Sequence, residues 1–201
     1  MRFGTIGAGN IGLALARHVV KAGYPVTISN SRGPQSLAAV VDDLGPLATA
    51  GTAAEAAQAD IVFLATHWSV ATDVLDSLPN WDGRILVDTT NIFEVVDGAL
   101  VPAELGDQTG SEIIAAHAPG ARVVKAFNTL YAAYIDADPR HEAGRQVVFY
   151  AGDDDDAKAT VGALIDEFGF AAVDIGPLRD GGRLMQIDGG PLSGLHLLKQ
   201  D

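Results

Sequence analysis

A short apolar run, Phe3 to Ile6, stops on Gly7 and leads directly into Ala8-Gly9-Asn10-Ile11-Gly12. Ile11 to Ala22 then carries helical apolar spacing, with Gly23 as its C-terminal stop. A Gly-x-Gly-x-x-Gly turn is weak evidence alone, because 23 of the 201 residues are glycine. Between a strand and a helix it is specific. Gly7 permits the tight turn, Gly9 lets backbone approach a pyrophosphate, and Gly12 lets the helix pack closely on the strand. The free N–H groups and partial positive charge of the helix N-terminus then favour an anion. Gly7, Ala8, Gly9, Asn10 and Ile11 are therefore expected to hold the pyrophosphate of a dinucleotide.

The rest of the chain continues the pattern. Strands are expected at Pro25–Ser29, Asp60–Ala65, Arg84–Asp88, Val123–Phe127, Gln146–Tyr150 and Ala171–Asp174. Helices are expected at 35–44, 52–59, 70–78, 111–116 and 155–168. With 48% hydrophobic and only 19% charged residues, such strands suit burial on both faces. The fold class is α/β: a Rossmann-type, doubly wound, mostly parallel sheet. Residues 1–201 form a single domain in this reading, with 176–201 as a Gly/Pro-rich C-terminal arm.

The second strand selects the dinucleotide. NAD sites usually place an acid about 20 residues after the turn, on the ribose 2′-hydroxyl. Here that stretch is Ser29-Asn30-Ser31-Arg32, without an acid. The first 41 residues carry four basic residues (Arg2, Arg17, Lys21, Arg32) and no acidic one, whereas the other 160 carry 9 basic and 26 acidic. An acid-free segment in so acidic a chain implies a bound anion. Arg32 can grip a 2′-phosphate or stack on adenine, with Ser31 and Asn30 donating to the same phosphate. The expected cofactor is NADP(H).

Composition excludes other classes. A net charge of -13 argues against nucleic acid and anionic membrane as partners. There is no cysteine, so disulfides, thiolate metal sites and cysteine nucleophiles are out. The first strand begins within three residues of Met1, no apolar run reaches membrane-spanning length, and a cytoplasmic location is expected. No metal site is expected. The Asp153–Asp156 run reads as a helix start, where aspartates cap free N–H groups. His18 is placed on the outer face of the first helix, His117 near a helix end, His141 in a polar loop and His196 in the tail. Trp68 and Trp81 read as packing residues.

Several further motifs sharpen this. They are Thr66-His67-Trp68 after the Asp60 strand, Val123-Val124-Lys125-Ala126-Phe127-Asn128-Thr129, Ala151-Gly152-Asp153-Asp154-Asp155, and Asp174-Ile175-Gly176-Pro177-Leu178. Together with the opening turn and Ser29 to Gly33, they make the chain resemble the NADP oxidoreductases that use the deazaflavin coenzyme F-420. The same module forms the cytosolic domain of the six-transmembrane ferric reductases. The resemblance covers roughly residues 1–185. It implies that Thr66, His67, Trp68, Asn128 and Thr129 line the nicotinamide and its neighbouring substrate.

In a doubly wound sheet the site lies at the C-terminal strand ends, here Ala65–Trp68, Thr89–Asn91 and Phe127–Leu130. Ketone or imine reduction needs a placed proton donor, whereas hydride transfer between stacked rings needs chiefly alignment. No Tyr-x-x-x-Lys pair or Ser-His-Asp grouping is present. His67 is the best titratable candidate, as a positioning group rather than an essential acid, and Lys125 precedes its strand end. No catalytic residue is assigned. The expected activity is hydride transfer between NADP(H) and a small-molecule acceptor such as a deazaflavin or flavin. Alternatives are an NADP(H)-binding redox sensor without catalysis and a ketone or imine reductase. The apolar tail at 189–198 suggests a homodimer contact.

Overall fold

The apolar runs at Ile61–Leu64 and Ile85–Asp88 are buried at every position, which requires cover on both faces. The computed structural model describes residues 1–200 and supplies that cover. The elements, in chain order, are β1 (Phe3–Ile6), α1 (Asn10–Lys21), β2 (Val26–Ser29), a 3-10 turn (Pro34–Leu37), α2 (Ala38–Leu44), β3 (Ala48–Ala50), α3 (Ala53–Ala56) and β4 (Ile61–Leu64). Next come α4 (Trp68–Asp76), β5 (Ile85–Asp88), the hairpin β6 (Phe93–Val96) and β7 (Ala99–Pro102), α5 (Gly110–Ala116), β8 (Arg122–Ala126) and α6 (Ala132–Asp136). The chain continues through β9 (Arg140–His141), β10 (Gly144–Gly152), α7 (Asp155–Glu167), β11 (Ala171–Asp174), α8 (Leu178–Met185) and β12 (Leu198–Lys199).

The main sheet has the order β11-β10-β8-β5-β4-β1-β2-β3. One core layer packs α1 and α7 against one face, around Phe3, Phe63, Phe127 and Phe170. The other packs α3, α4 and α5 against the opposite face, with Trp81 at 1% exposure among them. This is the expected α/β doubly wound fold. Chain order reverses at β1, with β2 on one side and β4 on the other, so the crevice over the strand ends opens there.

Six strands run parallel, but β10 is antiparallel to β8, and β11 follows β10. The apolar content of Gln146–Tyr150 does not encode direction, so sequence periodicity could not show this reversal. It has a consequence for the site. Ala126 at the end of β8 pairs with Tyr150. The earlier part of β10 therefore runs on past the strand ends, and Arg145 lies roughly 16 Å beyond that pairing at strand rise. There β9 and β12 pair with it.

The arm after Gly176 is more ordered than a Gly/Pro-rich composition suggests. Helix α8 packs on β10 and α5, burying Leu178, Gly181, Gly182 and Met185. Leu178 N–H donates to Asp153 Oδ1 (2.9 Å), while Asp154 caps α7 by accepting from Ala157 N–H (2.7 Å). The aspartate run thus serves two chain starts, in line with the helix-start reading. The short β3, β9 and β12 carry too little apolar pattern to be read from sequence, whereas the hairpin β6–β7 has a local signal, Asp97-Gly98 between apolar runs, that the expected strands leave out.

His18 departs from its expected place. It is buried at 6% exposure, because α6 packs against α1 on that side. Its Nε2 lies 2.6 Å from the Ile135 carbonyl, and its ring stacks on Phe168. Burial is the main influence and lowers its pKa below the ordinary 6.5, against the raising effect of the Ile135 carbonyl. The folded state therefore binds the proton more weakly than the unfolded chain. The stability this confers is present above pH 6.5 and is lost as pH falls through the lower folded value. The thermal midpoint should drop on acidification below about pH 6.5 and do so less steeply in His18→Gln; identical pH profiles would contradict this role.

Candidate functional site

The pairing register places four strand ends, Ser29, Ile6, Leu64 and Asp88, on one row with Lys125, the penultimate residue of β8. At the usual strand spacing this row is about 19 Å long, a level rim for an extended ligand. The predicted segments Gly7–Ile11, Ser29–Arg32, Thr66–Trp68 and Asn128–Thr129 all follow strands that end here. The structure thus brings the predicted site residues to the same, C-terminal end of the parallel strands.

At the centre of the rim, Gly7 has φ of 110°. A Cβ there would stand 2.3 Å from the Ala65 carbonyl oxygen. A Cβ on Gly12 would stand 2.1 Å from the Gly7 carbonyl oxygen, so α1 packs on the turn at a distance only glycine allows. Gly9 differs, because a Cβ there would meet nothing within 4 Å. Gly9 is the N-cap of α1, no side chain caps it, and the first turn holds no acid. The terminal N–H groups of this helix are left for a ligand, and open space lies above them.

The second-strand turn divides its labour. The Ser29 hydroxyl donates inward to the Thr5 carbonyl (2.8 Å) and ties β2 to β1. Asn30 shapes the turn: its Oδ1 accepts from Arg32 N–H (3.0 Å) and its amide donates to Ser36 Oγ (2.9 Å). Ser31 and Arg32 are exposed, and Arg32 has no ion-pair partner among the described residues. Of the other cations in this segment, Arg2 pairs with Asp60 and Arg17 with Asp136. Lys21 lies at the far end of α1. Arg32 is thus the cation of the acid-free segment that stands at the rim.

Farther along, polar groups are buried without partners. Thr66 Oγ1, Asn128 Oδ1 and Thr129 Oγ1 make no hydrogen bond within the protein. Among the described residues, four other such atoms lie elsewhere, on Thr5, Trp81, Arg84 and Gln146, but only these three cluster on segments that follow strand ends, where a ligand can satisfy them. Phe127, just before Asn128, has φ of 64°. That left-handed conformation costs a bulky residue on the order of 1–3 kcal/mol. It keeps the Phe127 ring in the core, against Phe63 and Phe170, as the chain turns over the strand end. His67 is the exposed N-cap residue of α4, with no side-chain cap bond. Trp68 is partly buried against the α3–α4–α5 core, consistent with packing.

Beside these residues a small cavity is lined by Thr90, Asn91, Gly110, Lys125, Asn128 and Gln186 among others. The arm closes it. Asn128 Nδ2 donates to the Met185 carbonyl (2.9 Å), Gly110 N–H to Gln186 Oε1 (3.0 Å), and Gly194 N–H to the Thr129 carbonyl (3.1 Å). Asn91 and Asn128 also exchange hydrogen bonds, at 3.0 and 3.2 Å. Gln186 was not visible as a site residue, because its place depends on α8 crossing the sheet.

These features agree with wider comparisons. Residues 2–92 match the family described as NADP oxidoreductase, coenzyme F420-dependent. The match takes in the whole strand–turn–helix and the first half of the sheet. A hypothetical protein from Sinorhizobium meliloti is 42% identical, superposes with a TM-score of 0.91, and is covered over 96% of its length by all of this chain. A protein from Arthrobacter sp. FB24 assigned as an F420-dependent NADP-reductase is 26% identical, with a TM-score of 0.74, over 89% of this chain and 86% of that one. Metalloreductase STEAP3 of Rattus norvegicus is 30% identical over 180 residues, 88% of this chain and 34% of the relative. The chain thus spans about a third of that curated relative. No helix among the described residues is long and apolar enough to cross a membrane. The matched family is one of NADP-dependent oxidoreductases, and the chain shares the fold of its structural relative from Arthrobacter.

Proposed function

We propose that this chain binds NADP(H) along the strand-end rim and transfers a hydride between the nicotinamide and a planar acceptor, a deazaflavin or flavin. The observation that carries the cofactor half is the unpaired Arg32 at the end of β2, where an NAD site would hold an acid. The pyrophosphate lies over Gly9 and the free N–H groups of α1. Ser31 and Arg32 take the 2′-phosphate. Thr66, Asn128 and Thr129 offer their unpartnered oxygens toward the nicotinamide end.

When bound, NADPH supplies the hydride from its C4 carbon. The protein's part is to bind, orient and exclude water. The titratable groups near the rim are poorly arranged as acids. Lys125 Nζ is held by Asp88 Oδ2 (3.0 Å) and the Thr90 carbonyl, and His67 is exposed. This favours an acceptor that takes its proton from solvent, as a flavin-like ring does. The F420-dependent description of the matched family supports this reading.

The test is to mix the protein with NADPH and oxidised deazaflavin, flavin, quinone, ferric chelate or a cyclic imine, and follow the nicotinamide absorbance. Oxidation by deazaflavin or flavin is expected. Turnover of the imine alone would favour the ketone or imine reductase reading. No turnover with any acceptor, despite tight NADPH binding, would favour a redox sensor.

A further inference from the structure

Asp88, the last residue of β5, and Lys125, the penultimate residue of β8, are direct cross-strand partners. Asp88 is 0% exposed and the Lys125 side chain 6%. The carboxylate accepts four hydrogen bonds: Thr90 N–H (2.9 Å) and Thr90 Oγ1 (2.7 Å) on one oxygen, Ser111 Oγ (2.7 Å) and Lys125 Nζ (3.0 Å) on the other. Lys125 Nζ also donates to the Thr90 carbonyl (2.5 Å). Thr90 is thereby clamped at its N–H, its hydroxyl and its carbonyl. The next residue, Asn91, is the one that exchanges hydrogen bonds with Asn128.

A buried ion pair gains little stability over apolar packing, because desolvation offsets the attraction. Ile85, Leu86 and Val87 precede Asp88 in β5, and Val123, Val124 and Ala126 surround Lys125 in β8. What this pair accomplishes is geometric: it fixes a turn at the edge of the cavity that Lys125, Asn91 and Asn128 line together. We infer that Lys125, with Asp88, is a positioning residue that holds the Thr90–Asn91 turn and through it sets Asn128 against the reacting nicotinamide. The inference rests on the hydride-transfer reading above.

Lys125→Met leaves Asp88 three donors. It should lower kcat for NADPH oxidation by about 10–100-fold, the scale of a misplaced reacting group. Affinity for adenosine 2′,5′-bisphosphate, which lacks the nicotinamide, should change by less than about twofold, since its contacts lie at the other end of the rim. The double variant Lys125→Met/Asp88→Asn removes the unpaired carboxylate and should recover the thermal midpoint while kcat stays low. It also serves if the single variant does not fold. Recovery of kcat together with the midpoint would make the pair merely structural and overturn the inference, as would an unchanged kcat in Lys125→Met. A second readout needs no turnover. The fluorescence lifetime of bound NADPH should shift toward that of the free cofactor in both variants, and an unchanged lifetime overturns the inference. A wild-type protein that oxidises no acceptor, with lifetimes that still shift, would remove the hydride-transfer reading and leave the positioning role standing.

Discussion

Gly12→Ala should destabilise the fold by about 3 kcal/mol, while Gly9→Val should cost about 1 kcal/mol or less, as a poorer helix cap, and abolish tight NADPH binding. The two positions belong to one motif, yet their surroundings differ. The Gly12 Cβ would press on the Gly7 carbonyl oxygen at 2.1 Å and meet the Ala65 side chain at 3.3 Å. The first contact is with backbone, which cannot swing aside as a side chain can. Relief would require moving α1 off β1, and with it the packing of Leu15 and Val19, both fully buried. For a chain of this size the thermal midpoint should fall by roughly 10 °C. Gly9 has φ of -82°, which any residue adopts, and no neighbour within 4 Å. A valine there occupies only the space above the N-terminus of α1. Calorimetric unfolding and NADPH titration separate the two effects. Equal destabilisation at both positions, or full binding by Gly9→Val, would refute the division of roles.

Arg32→Ala should weaken NADPH by about 10–100-fold and NADH by less than about twofold, because a charge-assisted hydrogen bond to phosphate contributes roughly 1.5–3 kcal/mol. Only NADPH carries the 2′-phosphate. The neighbouring hydroxyl of Ser29 cannot compensate, since it is committed to Thr5, and Asn30 is occupied in shaping the turn. Arg32 is exposed, so the selectivity should also shrink as salt is raised. Parallel affinity measurements for NADPH and NADH at low and moderate salt test this. Equal losses for both cofactors would move the 2′-phosphate pocket elsewhere.

Much of this site was legible in the residues because its signals are local. Gly7, Gly9 and Gly12 lie within six residues, and their roles follow from turn geometry and helix ends. The missing acid before Asp42 is a property of one short segment. The apolar β4 and β5 declare themselves by composition. The elements that escaped the reading are those whose meaning depends on distant chain. His18 has helix-surface spacing, but α6 covers it from residues 132–136. Lys125 was visible as a lone cation in an apolar strand. Its commitment to Asp88, 37 residues away, was not.

The sequence by itself determined the strand–turn–helix and its glycine positions, and the acid-free end of β2 on which the proposed 2′-phosphate pocket rests. Each rests on interactions within a few residues, where backbone geometry leaves little choice. Only the tertiary structure decided the direction of β10, the closure of the cavity by α8 and the tail, and the clamping of Thr90 by a buried ion pair. Those depend on which segments meet across the sheet. Apolar periodicity states that a strand is buried, but neither its direction nor its neighbours.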